Sequence, residues 1–472
     1  MALDHAPLLE RAFERPPAEG SYRIGRVEGE LPSWLRGVYY LNGPARFELA
    51  DLRYKHWLDG DGMVCALRFD GSGAHFTARY VRSAKLEAEE EAGRPVYRAF
   101  GTAFPGDQLK RGIGLESPAN VSVYRFGGLL LAGGEQGLPW ELDAGTLETR
   151  GEWTGARTLN EVSPFSAHAK VDEATGELYN FGVSYAARQP TLQLYRYDPH
   201  GPVWRRRLPL PYPASIHDFA LGHEHIAVYV SPYLLDVETL MRNGATVMDA
   251  LSWQPQRGSH LMVMARATGE LLGSVPVGDR YCLHLNNCFA EDGQVHVEVV
   301  ELERPVYPDY TPVPHLFDDA CFGEPVRLTL DERDWRLVER RSIAYRLCLD
   351  FPSMDRRRLG ESCDELWLLG ISATGRRGRK FFDQLAHLSW RTGRPLGVWQ
   401  APPGFYLGGE PAFAPDPADD RRGAIIVQLF DAEQRAMAFL LFDAHDVAAG
   451  PVARLWLEEP VHLGFHAAFY PD

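Results

Sequence analysis

Several things are scarce or missing in this chain of 472 residues, and each absence removes a class of function. The first residues, Met-Ala-Leu-Asp-His-Ala, hold no basic stretch followed by an apolar core, and no run of about 18 apolar residues occurs. Neither an export signal nor a membrane-spanning helix is expected. Cysteine is sparse: Cys65, Cys282, Cys288, Cys321, Cys348 and Cys363 are scattered with no CxxC pair, so no disulfide framework or zinc ribbon is encoded. They read as reduced, buried thiols of a cytoplasmic protein. Positive charge is also short, with 49 Lys and Arg against 64 Asp and Glu and a net charge of −15. A nucleic-acid backbone would be repelled, and no basic stripe interleaved with aromatics offsets this. The runs Arg356-Arg357-Arg358 and Arg376-Arg377-Gly378-Arg379-Lys380 are too brief to do so and read as solvated loops or local ion pairs. No HExxH occurs, and the histidines with unusual neighbours are not spaced as HxxxH among themselves, so no helical zinc site is read from them.

What is present is material for one large β domain. Hydrophobic residues make up 45% of the chain, aromatics 11% and charged residues 24%, the balance of a globular protein with a substantial core. From residue 37 onward, short alternating apolar runs are cut by Gly, Asp, Asn or Pro turns. Val64–Phe69 turns at Asp70-Gly-Ser-Gly into Phe76–Val81, and Val121–Phe126 turns at Gly127-Gly128 into Leu129–Ala132. One turn signature recurs at Asp172-Glu-Ala-Thr-Gly, Arg266-Ala-Thr-Gly and Arg391-Thr-Gly, with Asp143-Ala-Gly-Thr as a looser copy. Reuse of a turn by many short strands fits a β-propeller, which protects the edges of its sheets; seven blades would take about 67 residues each. The expectation is a single domain over 1–472, with an N-terminal arm at 1–23 and mobility in 1–20 and in the Pro/Asp-rich loop 415–422. Residues 234–253 interrupt the strands with an apolar-rich, partly helical insertion. This is either a lid packing its Leu and Met inward or an apolar mouth, with Leu234, Leu240 and Met241, that touches a lipid surface.

Of 16 histidines, four have unusual company: His168 in Ser166-Ala-His-Ala-Lys, His217 in Ile216-His-Asp-Phe, His284 in His284-Leu-Asn-Asn and His466 in Leu463-Gly-Phe-His. Each stands at a strand end in a distant segment. Inner strands of a propeller converge on one axis, so each can deliver one imidazole, and neutral imidazoles with open positions suit Fe(II) or another late first-row ion. Taken alone, the residues leave two readings open, a shared metal centre or scattered structural histidines.

A series of further motifs surrounds these histidines: Leu41-Asn-Gly-Pro-Ala-Arg-Phe-Glu, Tyr54-Lys-His-Trp-Leu-Asp-Gly-Asp-Gly-Met, Ala119-Asn-Val, Glu135-Gln-Gly-Leu-Pro, Ala167-His-Ala-Lys-Val-Asp-Glu-Ala-Thr-Gly-Glu and Gly409-Glu-Pro-Ala-Phe-Ala-Pro. Together and in this order they resemble the carotenoid cleavage oxygenases over about residues 24–470. That resemblance implies an all-β, seven-bladed propeller with a cap of loops and short helices over an axial iron site. It implies Fe(II) held by His168, His217, His284 and His466, with Glu135, Asp350 and Glu410 supporting the imidazoles. Relatives often show Glu-Phe-Pro where this chain has Asp350-Phe-Pro, so the shorter arm puts a direct bond in doubt and a water is expected to intervene. His462 reads as a neighbour and His56 as part of a structural motif.

The implied reaction is direct dioxygenation of one C=C bond, with O2 and no external reductant, to two carbonyl products. Stilbene-cleaving relatives typically carry lysine just before the first supporting glutamate; here Gly134 occupies that place. With Phe100-Gly-Thr-Ala-Phe-Pro, this favours a carotenoid or apocarotenoid, an apolar polyene, as substrate. Phe165, Phe219 and Phe465, beside the ligand candidates, are expected in the tunnel wall, with core packing as the alternative. The chain would then be cytoplasmic and touch the inner face of a membrane peripherally through 234–253. Competing readings are a stilbene dioxygenase, an isomerohydrolase that turns over without O2, and a propeller scaffold without chemistry.

Overall fold

The computed structural model describes residues 6–111, 114–160, 162–185, 189–242, 244–306, 313–315, 321–372 and 381–472. Seven antiparallel sheets of four or five strands follow one another around a ring, and two small two-stranded ribbons are added to them. This is a seven-bladed β-propeller. The inner strands are Ser122–Phe126, Lys170–Asp172, Ala220–Leu221, Tyr281–Glu291, Cys348–Ser353, Phe405–Pro415 and Ala467–Pro471, and all but one pair of neighbours, Lys170–Asp172 with Ala220–Leu221, make close contact. The ring is closed by both ends of the chain. Gly20–Arg23 is the outer strand of the sheet whose inner strand is Ala467–Pro471, and Arg26–Gly29 is the outer strand of the sheet that starts at Phe405–Pro415. Chain ends that pair within blades leave no open seam between first and last.

Local chemistry accounts for the regularity. Gly127 and Gly128 have φ of 56° and 85°, the two positive values that a two-residue hairpin turn matching the strand twist requires, and Ser122–Phe126 pairs with Leu129–Gly133 across it. The recurring Thr-Gly turn has one geometry in three blades: Gly176, Gly269 and Gly393 have φ of 64–70°, and each amide donates to the carbonyl four residues earlier. The hairpin from Gly62–Asp70 to Ala74–Tyr80 forms as its alternation suggests. All six cysteines are buried.

The cap is built from Ala84–Ala92, Val237–Leu240, Val247–Ala250 and the loops between. In the segment 234–253, Leu240, Val247 and Ala250 form a small apolar cluster with Leu235, against which Phe100 and Leu115 pack. Leu234 and Leu240 are only 7% and 5% exposed, whereas Met241 is 44% exposed. Burying a leucine stabilises by roughly 1.5–3 kcal/mol, so two of the three side chains assigned to lipid contact are committed to the interior. The inward-packing lid describes them better. No helix among the described residues is long and apolar enough to cross a membrane.

Arg356–Arg358 forms a 3-10 turn in which Arg357 pairs with Asp355 and Asp420, and Arg358 with Glu361. Arg356 pairs with Glu173 at 3.5 Å and also lies over the Tyr470 ring, 5.2 Å from its centre. The basic run 376–380 lies outside the described residues.

Candidate metal centre

The inner strands lose their regular register where the site is built. Tyr281–Glu291 shifts register between Cys282 and Leu285 and again before Asn287, which brackets His284. Cys348–Ser353 shifts after Asp350, with Phe351 at φ 55°, and Phe405–Pro415 shifts between Gly408 and Ala412, around Glu410. A bulge adds a residue to one strand and re-aims a side chain, so these breaks turn His284, Asp350 and Glu410 off the blades and toward the axis. His168, His217 and His466 stand just before the inner strands that start at Lys170, Ala220 and Ala467.

Four imidazoles meet at that point. Each of His168, His217, His284 and His466 offers one ring nitrogen, and the four nitrogens lie within 4.8 Å of one another. His168 Nε2 and His217 Nε2 are 2.9 Å apart. The second ring nitrogen of three of them is held by a carboxylate: His217 Nδ1 lies 2.9 Å from Glu135 Oε1, His284 Nδ1 2.5 Å from Asp350 Oδ1, and His466 Nδ1 3.1 Å from Glu410 Oε2. The water expected between His284 and the short arm of Asp350 has no place in a contact this close, because the bulge carries the backbone toward the ring. Such contacts fix the tautomer and the ring plane.

The fourth ring is supported differently, and sequence reasoning missed how. His168 Nδ1 is 3.6 Å from Asp218 Oδ1, too far for a hydrogen bond. Asp218 is instead tied to Lys170 Nζ at 2.9 Å and to the Leu285 amide at 2.9 Å. It thus links the strand after His168 to the strand of His284, and its signal was the acidic residue immediately after His217. Phe351 was also missed: its ring centre lies 5.7 Å from that of His284 and 5.2 Å from that of His466.

Electrostatics favour the neutral form of His168 and His466. Burial, reinforced by the surrounding His466, His217 and His284 rings, holds His168 well below the usual histidine range. Burial likewise lowers His466, and Glu410 only partly opposes it. At His284 burial is the largest single effect and pulls down, but the charge and hydrogen bond of Asp350 together with the charges of Asp218 and Glu410 outweigh it, so the ring is raised while Asp350 is held below its usual range.

The donor set fits a metal ion. His284 Nε2 is buried and makes no hydrogen bond to any described residue, an unpaired polar atom pointing into the cluster. Nitrogens bound at about 2.0–2.1 Å and at right angles stand about 2.9 Å apart, the spacing His168 and His217 show. Imidazole donors with no thiolate or first-sphere carboxylate suit late first-row divalent ions.

One cavity is lined by three of the four histidines, and a second reaches the supporting Glu135. The first, of about 150 Å³, runs along the propeller axis past His168, His284, His466, Phe351, Lys170 and Arg356. The other, about 420 Å³, lies under the cap and is bounded by Phe165, Phe181, Ile216, Leu240, Val247 and Glu135. Of the aromatic residues expected in the wall, Phe165 lines this second cavity. Phe219 and Phe465 line neither: Phe219 is fully buried against Phe181, and Phe465 packs on Trp57 with ring centres 4.2 Å apart. Core packing, the alternative reading, describes both.

Gly134 does not line either cavity. A Cβ there would stand 2.2 Å from Ser117 Oγ and 3.1 Å from the Ala119 amide nitrogen, so any side chain at this position would force Ser117 and the Ala119 backbone to shift. Gly134→Ala is therefore expected to destabilise the fold by about 1–3 kcal/mol, and Ser117→Gly in the same chain to recover part of the loss. Denaturant midpoints of the single and double variants check this; an unchanged midpoint for the single variant contradicts it.

Comparison with known proteins follows the same lines. The family model described as retinal pigment epithelial membrane protein matches residues 13–471. Apocarotenoid-15,15'-oxygenase from a Synechocystis strain is 28% identical, over 97% of this chain and 95% of its own. Isoeugenol monooxygenase from Pseudomonas nitroreducens is 26% identical, over 94% of each. The fold is that of a solved variant of the Synechocystis apocarotenoid oxygenase, which superposes with a TM-score of 0.90 at 24% identity over the whole of both chains.

Proposed function

Since the chain belongs to the retinal pigment epithelial membrane protein family, that of the carotenoid cleavage oxygenases, we propose that it is an Fe(II)-dependent dioxygenase that splits one C=C bond of a carotenoid or apocarotenoid into two carbonyl products. The observation that carries the proposal is the meeting of four histidine nitrogens within 4.8 Å on the propeller axis. His168, His217, His284 and His466 are the ligands in this reading, and Glu135, Asp350 and Glu410 hold three of them in place. Bound iron supplies activation of O2 without a cosubstrate.

The remaining work belongs to the chain. The cavity under the cap, walled by Phe165, Phe181, Ile216, Leu240 and Val247, has the volume of a small-molecule site and an apolar surface for a polyene. Its walls fix the position of the double bond and exclude water from it. Glu135 both borders this cavity and holds His217, so it joins the substrate space to the ligand set. The reaction balances without a reductant: both atoms of O2 end in the products, one on each former alkene carbon. The single domain of the whole chain contributes to the site, since its ligands are spread from residue 168 to residue 466.

A second reading keeps the chemistry and changes the substrate to a phenylpropenoid or stilbene alkene. The relative named for isoeugenol favours it, and the full enclosure of Gly134 weighs against a lysine-like contact there. The deciding experiment offers the iron-loaded protein apocarotenoids of graded length and phenolic alkenes under 18O2, with product masses as the readout. Label in both carbonyl products of a polyene is the expected result; undiminished turnover without O2, or cleavage of phenolic alkenes alone, overturns the proposal.

The support of His284 gives a sharper test. Asp350→Asn keeps the shape but removes the charge beside Nδ1, and such changes cost about 10–100-fold in metal affinity or turnover. Competition for iron with a chromophoric chelator measures the loss, and Asp350→Glu should restore most of it. Equal iron affinity in Asp350→Asn and the parent chain would show that the carboxylate does not tune the ligand.

A further inference from the structure

Among the described residues a second cluster has the chemistry of a metal site, and its residues are separate from the four-histidine centre. Glu365, His387 and His445 each offer one ligand atom, all within 4.8 Å of one another. His445 Nδ1 is 2.8 Å from Glu365 Oε2, and His387 Nε2 is 3.3 Å from the same oxygen. The three come from two blades. Glu365 lies on Glu365–Ile371 and His387 on the paired strand Gln384–Ser389, while His445 sits in the turn after Ala436–Asp443 of the adjoining sheet.

An ordinary ion pair accounts for Glu365 and His445 but leaves His387 only partly satisfied. That residue is 1% exposed; its Nε2 meets the Glu365 carboxylate only at 3.3 Å and outside hydrogen-bond geometry, and its Nδ1 has no hydrogen-bond partner among the described residues. Leaving a buried imidazole so poorly paired is unfavourable unless something else occupies one of its nitrogens. The ring is nonetheless held firmly: Trp367 stacks on it at 5.0 Å and 10°, and Trp367 Nε1 donates to the Ala444 carbonyl at 2.8 Å, which ties the ring to the turn of His445. His387 is thus positioned by stacking, with Nε2 directed at the carboxylate.

We propose that Glu365, His387 and His445 bind a second divalent cation of the zinc class, which clamps two neighbouring blades together. Two imidazoles and one carboxylate are a common zinc donor set, and tetrahedral donors at about 2.0–2.2 Å stand about 3.3 Å apart, the His387–Glu365 spacing. The His445 side chain is 37% exposed and that of Glu365 29%, so the ion has an entry path and water can complete its shell. The third cluster, Glu224, His225 and Glu332, lacks these features: Glu224 is exposed and His225 stands 3.5 Å from Glu332.

The test reads metal content, so it does not depend on the enzymatic reading above. Iron-loaded full-length protein is equilibrated with zinc chloride, passed through a desalting column, and its zinc and iron are measured by mass spectrometry. The parent is expected to retain one zinc while keeping its iron; Glu365→Gln and His445→Ala, at half-buried and exposed positions, are expected to lose the zinc with iron unchanged. Zinc should raise the unfolding temperature of the parent and not of these variants. Equal zinc retention in the parent and the Glu365→Gln/His445→Ala double variant overturns the proposal, as does zinc that is bound only at the expense of iron.

Discussion

His284→Ala protein should come from purification with less than about a tenth of the parent's iron and cleave no alkene measurably. His284 Nε2 is buried with no hydrogen-bond partner among the described residues, which leaves this nitrogen available to a metal. Removing the ring also strands Asp350, whose carboxylate sits 2.5 Å from it in a buried site and is kept ionised by it. If a supporting carboxylate is worth about 10–100-fold in metal affinity, a direct ligand is worth more, and the loss should exceed ~100-fold. The control is His462→Ala. His462 is as buried as His466 and only four residues away, but its Nε2 contacts the Arg15 carbonyl at 2.7 Å and it stands outside the quartet. Iron and turnover preserved in His462→Ala and lost in His284→Ala separate ligation from folding. Full iron in His284→Ala would sink the four-ligand centre.

The largest effect on stability is expected from Lys85→Met. Lys85, 1% exposed on its side chain, donates to Asp61 Oδ1 and to Glu89 Oε2, each at 2.9 Å, and lies 4.7 Å from the centre of the Tyr54 ring. Asp61 also accepts from Arg46 Nε at 2.7 Å, so two cations and two anions balance in a nearly dry pocket. Breaking such a buried group from one side leaves a carboxylate uncompensated and costs about 3–5 kcal/mol. Burial disfavours the Lys85 charge, yet Asp61 and Glu89 together raise its proton affinity above the usual lysine value, so the residue remains charged at any ordinary pH. Denaturant unfolding of Lys85→Met measures the loss. Lys85→Met combined with Glu89→Leu restores neutrality around Asp61 and Arg46 and should recover a large part of it. A single variant as stable as the parent would mean that the pocket is more hydrated than its burial indicates.

This pocket also explains a motif that reads from sequence only as structural. In Tyr54-Lys-His-Trp-Leu-Asp-Gly-Asp-Gly, His56 caps the short 3-10 turn Trp57–Asp59, and Asp59 receives the Gly101 amide at 2.8 Å and the Thr102 hydroxyl at 2.6 Å. Trp57 Nε1 donates to the Leu463 carbonyl at 3.2 Å, three residues before His466. The motif therefore braces both the cap and the segment that carries one of the four imidazoles.

The sequence by itself determined the strand and turn grammar, because turn chemistry is local. Gly127-Gly128 and the Thr-Gly turns dictate positive φ wherever they stand, and alternation dictates which face of each hairpin is buried. It also marked His168, His217, His284 and His466 by their neighbours, through likeness to a family. Only the tertiary structure decided that these rings meet, that the bulge at Asp350 brings its short arm within 2.5 Å of His284, and that Phe219, Phe465, Leu234 and Leu240 turn into the core. It alone brought His387 beside Glu365 and His445, whose motif-free surroundings carry no signal. The reason is physical. A propeller axis collects one residue from each of several distant blades, so the distances that make a site depend on closure of the whole ring and not on spacing along the chain.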